Sequence, residues 1–118
     1  MVPAPRGLPK SHRLRKPALF AHVLRTGGKA SDTMFTVYSA GNALPHPRLG
    51  ITVSRKAAAR AVVRNRIKRQ IRESFRLHCN RLPPLDIVVI GHRAAAAANP
   101  GELRASLAQH WQRLSADA

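Results

Sequence analysis

Between Arg55 and Arg72, eight of eighteen residues are Lys or Arg and none is acidic. The segment has no Gly or Pro and is rich in Ala and Arg, so propensity predicts a helix over 57 to about 79, stopped by Leu82-Pro83-Pro84. A 3.6-residue period puts Val63, Ile67, Ile71 and Phe75 on one side. Lys68, Arg72, Asn65, Arg76 and Arg69 fall on the adjacent arc, Arg64 at the boundary, and Arg66 points away. One side can dock on a core while the next presents a ridge of bases. No acid interleaves until Glu73, so like charges at i,i+4 repel and the free helix is penalised. A phosphate backbone would relieve that repulsion, and Arg forks onto phosphate in bidentate fashion.

The wider charge agrees. Over 118 residues there are 21 Lys+Arg and 5 Asp+Glu, a net +16. Residues 1–72 hold sixteen bases and one acid, Asp32, a net +15; residues 73–118 hold five bases and four acids. A polyanion should meet the first two-thirds of the chain, and the last third reads as scaffold. So few carboxylates argue against paired-carboxylate chemistry and against a calcium site. The six histidines are scattered, with no H-x-x-x-H pair. Cys79 is the only cysteine, which excludes an internal disulfide and suits a reduced compartment. No apolar run is long enough to span a membrane, and the start lacks a signal-type apolar region, so a cytoplasmic setting is expected.

The hydrophobic share, 44%, is enough for a small core. Residues 1–12, with three prolines, are expected to be a flexible basic arm, and 13–118 one domain. Pro17 suits a helix start, and Phe20, Val23 and Leu24 share a face before Gly27-Gly28. Met34–Tyr38 reads as a strand with Phe35 and Val37 on one face and Thr36 and Tyr38 on the other. Leu49–Ser54 alternates apolar residues with Gly50, Thr52 and Ser54, a small face that lets something lie close. Leu85–Ile90 is a continuous apolar strand, covered on both sides. Asn99-Pro100-Gly101-Glu102 reads as a capping box before a helix with a Leu103, Leu107, Trp111 and Leu114 stripe. The order predicts an α+β sandwich.

The run Arg64-Asn65-Arg66-Ile67-Lys68-Arg69-Gln70-Ile71-Arg72 closely resembles the signature of the bacterial ribonuclease P protein component. Leu49–Lys56, Phe35–Tyr38 and Asp86–Ile90 resemble that family's flanking strands, and the likeness covers about residues 14–115. It implies an αβββαβα two-layer sandwich, ribosomal protein S5 domain 2-like, with a mixed four-stranded sheet. It also implies a left-handed β-α-β crossover through the basic helix, where general rules predict a right-handed one.

For function, the resemblance implies a small subunit of a ribonucleoprotein endonuclease, a hydrolase that removes the 5′ leader from precursor tRNA. The catalytic residues are then in the RNA partner, which also holds most of the magnesium; the protein alone has none and takes no small-molecule substrate. By match to the motif, Arg64, Asn65, Lys68, Arg69 and Arg72 would meet the catalytic RNA and the precursor, with Arg55, Lys56 and Arg60 close by. Arg66 would bind RNA elsewhere or support structure, and Asn65 would lie near a metal. A groove between the first helix and the sheet would take the single-stranded leader, with Phe20, Phe35 and Tyr38 as stacking positions. For Phe35 a plain core role is equally compatible. Leu24 stands where the family often has a second aromatic.

Two other readings compete: a ribosomal-type RNA-binding protein with no processing role, and a DNA-binding factor reading a major groove. On the helical wheel, Arg64→Ala or Lys68→Ala should weaken RNA binding with little loss of stability, and Ile67→Asp should unfold the domain.

Overall fold

The computed structural model describes residues 8–116. A 3₁₀ turn at Lys10–His12 leads into helix α1 (Pro17–Thr26), then strands β1 (Gly28–Ser31), β2 (Phe35–Gly41) and β3 (Arg48–Val53). Helix α2 (Ala61–His78), strand β4 (Leu85–Gly91), short helix α3 (Arg93–Ala97) and helix α4 (Pro100–Ala116) follow. The sheet order is β1-β2-β4-β3, with β3 parallel to β4 and the other pairs antiparallel. This is the expected α+β architecture with a mixed four-stranded sheet.

Strand alternation sorts the side chains. Phe35, Val37, Leu49, Val53, Ile87 and Val89 face α2 and α4, where Ile67, Ile71, Phe75, Leu103, Leu107 and Trp111 complete the main core. Phe75 and Trp111 meet edge to face, and the indole donates to Ser74 Oγ at 2.8 Å. The opposite face carries Val88, Tyr38, Ala40 and Ile90, and α1 covers part of it with Val23, Leu19 and Phe20. The α4 start is a reciprocal box: Asn99 Oδ1 accepts from the Glu102 amide and Glu102 Oε1 from the Asn99 amide.

The structure departs from expectation in several places, β2 running on to Gly41 among them. The basic helix begins at Ala61, not 57. Ser54 accepts the amides of Ala57 and Ala58 in a turn, and Ala58 is buried in the core, so tertiary packing overrides alanine's helical propensity. Arg55, Lys56 and Arg60 therefore lie on that turn rather than on the helix. Packing also starts before residue 13: Leu8 is 5% exposed and belongs to the main core. Residues 1–7 of the expected arm lie outside the described residues. Helix α3, from an alanine run, was not anticipated from the residues alone.

Candidate nucleic-acid interface

One row across the α1 face of the sheet is formed by register partners Lys29, Tyr38, Val88 and Gly50. Gly50 is buried, and a Cβ there would collide with the ring of Phe20. The small strand face thus receives α1's aromatic, and the missing side chain sets where that ring rests. Tyr38, two strands across from Gly50, is half-buried, with Lys29 Nζ 5.9 Å from its ring centre. The next row, Ser31, Thr36, Ile90 and Thr52, leads toward the exposed Arg55 and Lys56. Leu24 on α1 is 42% exposed.

Phe35 does not join this surface. It is 0% exposed, within the main core on the other face, because odd and even positions of β2 point to opposite sides. The structure brings together Phe20 and Tyr38 but not Phe35.

Along the outer edge of β3 lies a cleft of about 450 Å³. Phe20 from α1, Lys68 and Arg72 from α2, and Arg13 and Arg15 from the segment before α1 all line it. The helix's basic arc and the aromatic groove therefore share a wall. Sequence reasoning missed Arg13 and Arg15, although Leu14 between them is a signal. Leu14 is buried and donates its amide to Leu49 O at 2.9 Å, so its neighbours point outward.

The remaining bases of the run have distinct partners. Arg64 Nη1 donates to the carbonyls of Ala58 and Ala59 at 3.0 and 2.9 Å, pinning the turn that carries Arg55 and Lys56. Arg93 Nε donates to Lys56 O at 3.1 Å, holding the same turn from the other side. Arg66 reaches Ala96 O on α3 at 3.3 Å. Asn65 and Arg69 are exposed on the outer side of α2.

Every acid among the described residues has a structural partner. Asp86, on β4 beside its register partner Arg48, accepts both Nε and Nη2 of Arg48 and the amide of Asn42. Burial would raise its pKa, but those donors hold it below the ordinary carboxylate value. Asp32 caps the β1–β2 turn through the Met34 and Phe35 amides and receives Ser106 Oγ and His110 Nε2 from α4. Burial again opposes ionisation there, and the same four donors outweigh it, lowering the pKa. His110 is held below the usual histidine value by its burial, with Asp32 pulling the other way. Glu73 pairs with Arg76, and Glu102 serves the capping box. Among the described residues no three His, Cys, Asp or Glu side chains gather as a metal site.

The family model described as Ribonuclease P matches residues 8–115. The ribonuclease P protein component of Methylococcus capsulatus is 45% identical over 105 residues, 89% of this chain and 82% of that protein. Its counterpart in Cronobacter sakazakii is 43% identical, covering 89% and 88%. The Staphylococcus aureus RNase P protein superposes with a TM-score of 0.82 at 36% identity, over 90% of this chain and 96% of the other. The Thermotoga maritima RNase P protein gives 0.77 at 31% identity, over 86% and 96%.

Proposed function

The chain belongs to the ribonuclease P protein component family, and we propose that in this tRNA-processing ribonucleoprotein it holds the 5′ leader of precursor tRNA against a catalytic RNA. One observation carries this reading: the cleft at the β3 edge joins an aromatic ring, Phe20, to Lys68 and Arg72 of the basic helix. A ring and a cationic wall in one groove suit a single strand, which binds by stacking plus backbone charge. Phe20 and Tyr38 offer the stacking faces. Asn65, Lys68, Arg69 and Arg72 face catalytic RNA and precursor, and their charge lowers the repulsion between two polyanions. Arg55, Lys56 and Arg60 add cations where the groove opens. Arg64 and Arg66 act through the backbone carbonyls they hold.

The hydrolysis belongs to the RNA. Each described carboxylate is already engaged in the fold, and none faces the cleft as a free base. Magnesium is placed on RNA phosphates. The surroundings of Asn65 do not fit a protein-held magnesium site: it supplies one amide oxygen among cationic neighbours, and a hard divalent cation needs several oxygen ligands. The cytoplasm is the setting we assign, and no described helix is long and apolar enough to cross a membrane.

Reconstitution with catalytic RNA at low magnesium tests the reading. The protein should lower the magnesium requirement and tighten binding of leader-bearing over leaderless substrate. If it does neither while still binding RNA, the chain is a general RNA-binding protein instead.

A further inference from the structure

A second cleft, of about 510 Å³, lies beside the first. Lys10, Lys16 and Arg48 line it together with Arg13 and Arg15, which also line the first. The two form one track along the β3 edge, from the basic helix to the start of α1. We propose that the leader continues along this track, so that its nucleotides upstream of the aromatic groove are held by the segment Lys10–Lys16 and Arg48. This rests on the reading of the chain as a leader-binding subunit.

Several features favour a phosphodiester strand here. Two of the cations are fixed in advance. Arg13 Nε is anchored on Leu8 O at 2.8 Å, which leaves both terminal nitrogens for a ligand. Arg48 is anchored on Asp86 through Nε and Nη2, which leaves Nη1. A guanidinium already oriented loses less freedom when it takes a phosphate. Lys10 and Lys16 are exposed and add mobile charge. The carboxylate nearest the track, Asp86, is buried beneath Arg48 and neutralised by it. Asp32 sits in the β1–β2 turn, at the opposite edge of the sheet.

The backbone contributes as well. Leu49 O accepts from Leu14, so Leu49 turns its peptide groups to the open edge, and alternation turns those of Ile51 the same way. Ile51 lines the first cleft, where its amide can donate to the strand. The second cleft has Pro17 and Leu19 as apolar surface but no aromatic ring. Binding there should therefore fall on the sugar-phosphate chain, be indifferent to sequence and depend on salt.

The test is a leader-length series with the assembled holoenzyme. Precursors with leaders extended one nucleotide at a time are titrated against wild type and a Lys10→Ala/Lys16→Ala variant, whose two residues line only the second cleft. Wild-type affinity should rise in two stages. The variant should keep the first stage and lose the second, binding long leaders about three- to tenfold more weakly. Its salt slope should be shallower by about 0.7 for each phosphate that is no longer neutralised. A single-stage rise in wild type overturns the inference. So does a variant that weakens every leader length equally, because the catalytic RNA would then be the occupant of the second cleft. Affinity independent of leader length throughout would instead remove the leader-binding reading itself. Melting temperatures of the two proteins should agree, since both lysines are exposed.

Discussion

The two faces of the sheet are built on different terms. The face toward α2 and α4 is closed by large side chains, among them Trp111, Phe75, Phe35 and Ile67, each at most 1% exposed. Toward α1 the buried apolar side chains are only Leu14, Val23 and Val88, and Phe20, Tyr38 and Ile90 stay partly open. The first holds the molecule together, and the second keeps aromatic surface available at the cost of a thinner seal. Neighbouring residues on one strand therefore have opposite fates: Phe35 is structural and Tyr38 is presented.

The largest effect should come from the closed face. Ile67→Asp puts a charge among Phe75, Ile71 and the sheet, and should destabilise by more than about 4 kcal/mol, seen as loss of a cooperative thermal transition. The open face should respond in the opposite sense. Phe20→Ala should weaken leader binding by about 1–3 kcal/mol, roughly the worth of one stacked base, with a much smaller change in melting temperature. Equal destabilisation by both would dissolve the distinction between the faces.

Asp32 lies at the rim of the closed side and ties the β1–β2 turn to α4. Asp32→Asn should cost about 1–2 kcal/mol near pH 7 by removing charge-assisted hydrogen bonds. The native pKa lies below the unfolded one, so the stabilisation is complete above about pH 4 and fades as pH falls through the native value. The gap between wild type and variant in chemical denaturation should close in that acid range. His110 has the same sign for another reason. Burial keeps it neutral in the fold, so stability should begin to decline as pH drops below about 6.5, where the unfolded chain takes up the proton. Arg113 nearby works in the same direction.

The smallest contrast is within α2. Arg64→Ala should lower stability by about 0.5–1.5 kcal/mol because it frees two carbonyls on the 54–60 turn. Arg69→Ala should leave the melting temperature unchanged and reduce RNA affinity. To the expectation that Arg64→Ala weakens RNA binding with little loss of stability, these two hydrogen bonds add a stability cost.

Local patterns were readable from the residues. The α2 stripe, the α4 capping box and the alternation along β2 depend on neighbours within a few positions. The family signature also lies in one continuous run. Features set by distant packing were not readable. The late start of α2 depends on Ala58 entering the core and on carbonyls taken by Arg64. The depth of Phe35 depends on α4, some seventy residues later. The alignment of Arg13 and Arg15 with the cleft depends on the bridge between Arg13 and Leu49, closed by the Leu14 amide donating to Leu49 O. The scattered N-terminal bases carry no periodicity long enough to reveal it.

Gly50 gives the open face a genetic signature. It contributes no side chain, yet the pose of Phe20 depends on that emptiness, since any Cβ there would displace the ring. Gly50→Ala should therefore phenocopy a change at Phe20, depressing leader binding in a protein that still folds. A mutational scan that scored only residues able to touch RNA would overlook it. The aromatic surface is encoded at two positions, 30 residues apart, and one of them acts by what it lacks.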